Sequence, residues 1–401
     1  MDRTRIIFRW MQNNRYSVAT LIGLLDEALG DDRYEIVRAS TADEAAKLAS
    51  GARRSIVAYS FTTSDGAAVA AEIGALRAGG ARDAVVICGG AHTSAVPDEV
   101  LAWGADAAFV GEAEESLPAF LRTFAESGEP PSDRIVKPLP LDEFDAYPPF
   151  AASRGLFAPV ELRRGCENRC AFCQTPRLFT VVRERSVEYV MRHAASLVAA
   201  GKRRIVFTSP DALLYGSRDG VVNLPAMEEL LSRVSATGLG ITYGFFPSEV
   251  GPRSLARAPG AAALLRRYVA HDEIVVGGQS ASPRVLKLLG RSHTVEDVDA
   301  ALAIASDAGF TPVVDVLLCA PGETGDERRR TMAWMRDARS RHGARFNLHH
   351  FTPLPGTPLG GRPAERIEAD VLAELRRMLA TGAAVGHYTD EWLATADVEV
   401  T

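Results

Sequence analysis

Apolar positions in the first third of the chain fall into short runs separated by stretches with helical spacing. Residues 5–10, 34–38, 55–60, 84–88 and 107–110 read as strands. The run 55–60 is nearly continuous in apolar residues, as in a strand buried on both faces. Apolar residues spaced by three and four predict helices over 17–29, 67–78, 97–103 and 117–127, with Gly79-Gly80 ending the second. Repeated strand–helix units of this kind predict an α/β domain with a doubly wound parallel sheet. Such sheets bind ligands outside the carboxyl ends of their strands.

The pattern breaks at Ser127-Gly128-Glu129-Pro130-Pro131-Ser132-Asp133, and prolines continue at Pro138, Pro140, Pro148 and Pro149. This reads as a linker. Alternation then resumes. Strands are expected over 158–162, 204–208, 240–245, 273–277, 311–318 and 345–351, with helices over 187–200, 225–236, 295–308 and 328–341. Six βα units in this length fit a partial (β/α)6 barrel rather than a complete eight-unit one. A helix over 370–383 is expected to pack outside it. The expected organisation is a first domain over 1–128, a proline-rich linker over 129–155, a partial barrel over 156–362 and a C-terminal helical extension over 363–401.

Composition sharpens this. The 401 residues are 47% hydrophobic and 24% charged, which excludes wholesale disorder, collagen and coiled coil. The net charge of −6 disfavours nucleic acid as a partner. No apolar run approaches the roughly 18–20 residues of a membrane span. The N-terminus enters a strand without a signal-peptide core, so a cytoplasmic location is expected.

The five cysteines are Cys88, Cys166, Cys170, Cys173 and Cys319. An odd count with three in one loop is not a disulfide framework. Arg164-Gly165-Cys166-Glu167-Asn168-Arg169-Cys170-Ala171-Phe172-Cys173 has the spacing C-x3-C-x2-C. Thiolates select soft metals, and a closed zinc site wants a fourth ligand that no Cys or His supplies at finger-like distance. Three thiolates suit a 4Fe–4S cluster with one iron left open. Cys88 and Cys319 read as small core residues, and Arg328-Arg329-Arg330 as a solvated helix face.

With Phe172 before its last cysteine, this loop resembles that of the radical S-adenosylmethionine (SAM) enzymes, over residues 156 to about 360. The resemblance implies that Cys166, Cys170 and Cys173 hold the cluster, whose open iron chelates SAM. Reductive cleavage would then yield a 5′-deoxyadenosyl radical, with the electron coming from a flavodoxin- or ferredoxin-type donor. Phe172 also counts among the implied SAM contacts. Phe207-Thr208-Ser209-Pro210-Asp211 stands where that family carries a Gly-Gly-Glu-like turn, making Thr208, Ser209 and Asp211 SAM candidates. Ser248-Glu249 resembles an acidic position near ribose, and Gly277-Gly278-Gln279-Ser280 the Gly-x-Glu/Gln-Ser of the same region. Arg291-Ser292-His293-Thr294, Pro321-Gly322-Glu323-Thr324 and His350-Phe351-Thr352-Pro353 resemble the branch containing methylthiotransferases and cobalamin-dependent members.

The first domain resembles a Rossmann-like cobalamin-binding domain. Ser60-Phe61-Thr62 and Gly89-Gly90 match two of its segments, and Gly111-Glu112-Ala113-Glu114 resembles cobalamin-linked chains. The first segment, Asp-x-His-x-x-Gly, is missing: the loop after the first strand contains Gln12 and Asn13, and the first histidine is His92. The implied corrinoid contacts are Gln12, Asn13, Ser60, Thr62, Gly89, Gly90, Gly111 and Glu112. The resemblance implies a cobalamin-dependent enzyme that methylates an unactivated carbon of a small molecule or peptide. The alternatives are another radical reaction on the same architecture (cyclisation, rearrangement or methylthiolation) and a non-catalytic iron–sulfur or cobalamin sensor.

Overall fold

The computed structural model describes residues 3–29, 33–141 and 143–386. It divides into two compact units, Met1–Pro159 with Arg177–Thr180, and Val160–Pro176 with Val181–Thr401.

In the first unit, strands β1 (Thr4–Arg9), β2 (Tyr34–Ala39), β3 (Arg54–Ser60), β4 (Val85–Gly89), β5 (Ala107–Phe109) and β6 (Ile135–Val136) form one sheet in the order β2-β1-β3-β4-β5-β6. Every pairing is parallel. Successive side chains of a strand point to opposite faces, and each face has its own core. Ile6 and Phe8 pack with Ile22, Leu25, Leu121 and Phe124 of helices Arg15–Leu29 and Ser116–Ser127. Ile7 packs on the other face with Val69, Ile73 and Val100 of helices Gly66–Ala78 and Pro97–Ala102.

Two features depart from the sequence reading. A helix at Ala42–Ser50 joins β2 to β3, capped by the Thr41 hydroxyl, which accepts from the Glu44 amide. The segment expected as a linker is packed rather than free. Its Ile135–Val136 adds β6 to the sheet, and Tyr147 and Phe150 are buried. Phe150 sits so close to Gly23 that a Cβ there would lie 2.6 Å from its carbonyl oxygen. Proline restrains the chain without preventing it from folding onto a sheet edge.

In the second unit, β7 (Val160–Glu161), β10 (Arg204–Thr208) and β11 (Gly240–Thr242) form one parallel sheet. A short antiparallel pair, β8 (Arg163–Arg164) and β9 (Arg183–Glu184), follows β7. β12 (Glu273–Gln279), β13 (Thr311–Leu318), β14 (Arg345–His350) and β15 (Ala384–Gly386) form a second parallel sheet in that order. The two sheets are bridged where Val250 N–H donates to Val275 C=O at 2.8 Å and Val275 N–H to Gly244 C=O at 2.9 Å. The six expected barrel strands are therefore adjacent in chain order. β15 is an addition: helix Ala369–Ala380 returns the chain to pair with β14. The rest of the expected extension, 387–401, lies outside the described residues. Among the described residues no helix is long and apolar enough to cross a membrane.

Candidate functional site

The cysteine loop leaves the barrel at the carboxyl end of β7 and is tied at several points. Gly165, at φ +84°, passes so close to Val181 that a Cβ would lie 2.8 Å from its carbonyl oxygen. Ala171 N–H donates to Leu289 C=O at 2.8 Å, and Ala171 C=O accepts from Leu359 N–H at 3.1 Å. Gln174 Nε2 donates to Pro355 C=O at 2.9 Å. Phe172 packs on an apolar cluster that includes Val285, Leu317 and Phe351. Upstream, Arg163 is buried and donates to Leu214 C=O and to Glu167 Oε1, both at 2.7 Å.

Further ties come from the segment after helix Pro283–Leu288. Arg291 Nη1 donates to Cys170 Sγ at 3.1 Å, and its Nη2 to Gly277 C=O at 2.9 Å. Ser292 Oγ donates to Asn168 Oδ1 at 2.9 Å. His293 Nε2 pairs with Gly278 C=O at 3.1 Å. Thr294 then caps helix Val295–Asp307 through a reciprocal bond with Asp297. The four residues thus fasten the cysteine loop to the end of β12 and start the next helix.

The Cys166 thiol lies near enough to Cys170 and Cys173 to feel both. Burial pushes the Cys166 thiol up, and the neighbouring Cys170 and Cys173 add to the rise. Among the described residues no three Cys, His, Asp or Glu groups converge tightly enough for a single metal ion. A cubane instead spreads its thiolates over separate irons, which the loop's spacing permits.

Of the remaining SAM candidates, Thr208, Glu249 and Gln279 are half-buried at the carboxyl ends of barrel strands. Gln279 has φ +68°, a left-handed conformation sparsely adopted by residues other than glycine. Burial pushes the Glu249 carboxyl up, and nearby Asp315 adds to the rise. Asp315 Oδ1 accepts from Asn347 Nδ2 at 2.9 Å and faces His349 Nε2 at 3.5 Å.

Ser209, Asp211, Ser248 and Ser280 are buried, and three of them are occupied inside the fold rather than displayed to an open site. Ser209 Oγ donates to Asp211 C=O at 2.9 Å. Asp211 accepts from Leu213 N–H at 3.0 Å and Ser254 Oγ at 2.7 Å. Ser280 Oγ lies 3.3 Å from Thr331 Oγ1 and accepts from Ser282 N–H at 3.1 Å. Ser248 Oγ is buried without a hydrogen-bond partner among the described residues.

Cys319 is buried in the turn after β13, at φ +65°, where its N–H donates to Glu323 Oε2 at 2.6 Å. Arg328 corrects the reading of a solvated arginine run. It is buried, 3.5 Å from Glu323 and forked onto Glu368 at 2.7 and 2.8 Å.

In the first unit, the corrinoid candidates gather at one edge. The order β2-β1-β3 makes the β1/β3 junction the topological switch point of a flavodoxin-like sheet, where ligands bind. Gln12 and Asn13 follow β1, and Thr62 follows β3; all three are exposed. Asn13 Nδ2 donates to Asp65 Oδ1 at 2.9 Å, and Thr62 Oγ1 to Asp65 Oδ2 at 3.1 Å. Gly89, the last residue of β4, and Gly111 and Glu112, after β5, are half-buried. Ser60 and Gly90 are committed to the fold itself. Ser60 is buried with its hydroxyl 3.1 Å from Ser17 Oγ. Gly90, at φ +95°, lies so close to Phe61 that a Cβ would be 2.5 Å from its carbonyl oxygen.

Residues 160–335 match the family model described as the Radical SAM superfamily, and residues 19–121 match the B12 binding domain model. The chain carries a radical SAM domain with a B12-binding domain ahead of it. It is 26% identical over 358 residues to an uncharacterized protein of Methanopyrus kandleri, covering 72% of this chain and 66% of that one. It is 30% identical over 215 residues to a tRNA-2-methylthio-N(6)-dimethylallyladenosine synthase of Chlorobium phaeobacteroides, covering 52% of this chain and 45% of that one. The chain therefore spans about half to two thirds of the length of these relatives. Among solved structures it resembles TsrM of Kitasatospora setae, a radical SAM methyltransferase with cobalamin and a 4Fe–4S cluster bound. The TM-score is 0.66 at 17% identity, over 90% of this chain and 77% of that one. That likeness is one of fold.

A radical SAM domain implies a 4Fe–4S cluster and SAM, and a B12-binding domain implies cobalamin. The residues of this chain fit both. The cysteine loop presents three thiols, one beside a guanidinium. The switch-point edge offers amide and hydroxyl donors and glycines that allow close approach. His92, the first histidine of the chain, is buried against Phe61 and Trp103, its ring stacked on the indole at 5.4 Å. Sequence reasoning missed the work of Asn14, which is buried and donates to Arg9 C=O at 2.8 Å and Ser60 C=O at 3.0 Å, fixing the loop after β1. A lone asparagine in a polar loop carries no signal for this.

Proposed function

We propose that this radical SAM enzyme transfers a methyl group to an unactivated carbon of a small-molecule or peptide substrate. One observation carries the reading. A three-cysteine loop at the carboxyl end of a barrel strand shares a chain with a sheet whose switch point is lined by Gln12, Asn13 and Thr62. When bound, the cluster and SAM supply a hydrogen-abstracting carbon radical, and cobalamin supplies a transferable methyl group. In this reading Cys166, Cys170 and Cys173 hold the cluster. Thr208, Glu249 and Gln279 contact SAM, while Phe172 braces the loop from the apolar side. Gln12, Asn13, Thr62, Gly89, Gly111 and Glu112 line the corrinoid site. One electron per cleavage comes from a flavodoxin- or ferredoxin-type donor.

The fold shared with TsrM, a methyltransferase solved with cobalamin bound, supports the reading. Methylthiolation, the chemistry named for the Chlorobium relative, fits less well. Cys88, the one cysteine before residue 160, is buried in β4 with its thiol pushed up by desolvation, which leaves no second ligand set there. The test is anaerobic purification with cobalamin supplied, followed by a visible spectrum and incubation with SAM. Cluster and corrinoid bands together, with release of 5′-deoxyadenosine, are expected. Cluster without corrinoid would overturn the methyltransferase reading, and intact SAM would favour a sensor.

A further inference from the structure

We infer that Arg291 is a positioning residue that sets the charge around the Cys170 thiolate and raises the reduction potential of the cluster held there. Its guanidinium is fixed at both ends, with Nη1 3.1 Å from Cys170 Sγ and Nη2 2.9 Å from Gly277 C=O. The neighbours prevent it from swinging away: Ser292 is bonded to Asn168, and His293 to Gly278. Its Nε is buried without a hydrogen-bond partner, so part of the cation is withdrawn from water. A charge in that setting acts more strongly than one in solvent. Reduction adds one electron, and so one negative charge, to a cluster ligated by this thiolate. A fixed cation donating to the ligand sulfur stabilises that reduced state relative to the oxidised one. Lysine could supply the charge but not the fork that reaches sulfur and carbonyl together.

The inference rests on the cluster reading, and the test separates the two. The full chain is reconstituted with iron and sulfide, its iron content measured, and its midpoint potential found by titration with dithionite under EPR. At the wild-type midpoint, iron-loaded Arg291→Gln should hold about tenfold less reduced cluster relative to oxidised, equivalent to 59 mV for a one-electron couple. Arg291→Lys should shift in the same direction by less. A merely structural role would leave the midpoint of the loaded variant where it was, and that result would overturn the inference. Where Arg291→Gln fails to load, wild-type protein labelled with nitrogen-15 arginine decides. Pulsed EPR of its reduced cluster should show coupling to an arginine nitrogen, and its absence would sink the proposal. Wild-type protein that takes up no iron would refute the cluster reading instead.

Discussion

A cysteine ligates iron only when its loop holds it in place, and this loop is held at Gly165, Asn168, Cys170, Ala171 and Gln174. Cys166→Ala should therefore leave the fold intact while removing iron and SAM cleavage, read as iron content and 5′-deoxyadenosine release. His293 carries a pH signature. Burial, with Arg291 adding to it, pushes its imidazole down to about 4 from an ordinary 6.5. Between those values the unfolded chain binds a proton that the folded chain refuses. The contribution is thus complete above about pH 6.5 and lost as pH falls toward 4, a swing of about 3 kcal/mol. Urea midpoints at pH 7 and pH 4.5 should differ less in His293→Gln than in wild type. Arg328 shows why some residues could not be read in advance. Three consecutive arginines look solvated, yet a helix turns each by about 100°, which sends the first inward between Glu323 and Glu368. Arg328→Leu strands the buried Glu323 and should cost about 3 kcal/mol or more, visible as a lowered Tm.

Strands and helices with a strong period were legible because burial imposes that period. β10 and β13 cover the residues expected of them, 204–208 and 311–318. β6 and β15 were not, since two or three residues at a sheet edge have no period to detect. Their places are set by partners remote in sequence. The Gly89-Gly90 pair makes a sharper case, because one motif contains two different roles. Gly90 has a positive φ and a Cβ would strike the Phe61 backbone, whereas a Cβ on Gly89 would meet only Phe109 Cβ at an ordinary 3.7 Å. Gly90→Ala should destabilise the first unit whether or not corrinoid is present. Gly89→Ala should fold normally, so any loss of corrinoid from it reports on the site. Thermal unfolding of both variants, with and without cobalamin, separates the roles.

At the scale of the whole chain, alternating strands and helices made two parallel α/β units legible, but not the strand order of the first, which depends on pairings across tens of residues. The switch point between β1 and β3 follows from that order, and only the structure shows that Gln12, Asn13 and Thr62 share it. The first unit has its own core on both faces of its sheet. The cluster ligands all belong to the second unit and the corrinoid candidates all to the first. The two cofactors should then be lost one at a time. In the full chain, Cys166→Ala should abolish the iron–sulfur absorbance and keep corrinoid uptake. A double Asn13→Ala, Thr62→Ala variant should do the reverse. Spectra of the two proteins, each purified anaerobically with cobalamin present, provide the check. Corrinoid lost along with iron in Cys166→Ala would mean that the corrin depends on residues of the barrel as well as on the switch point.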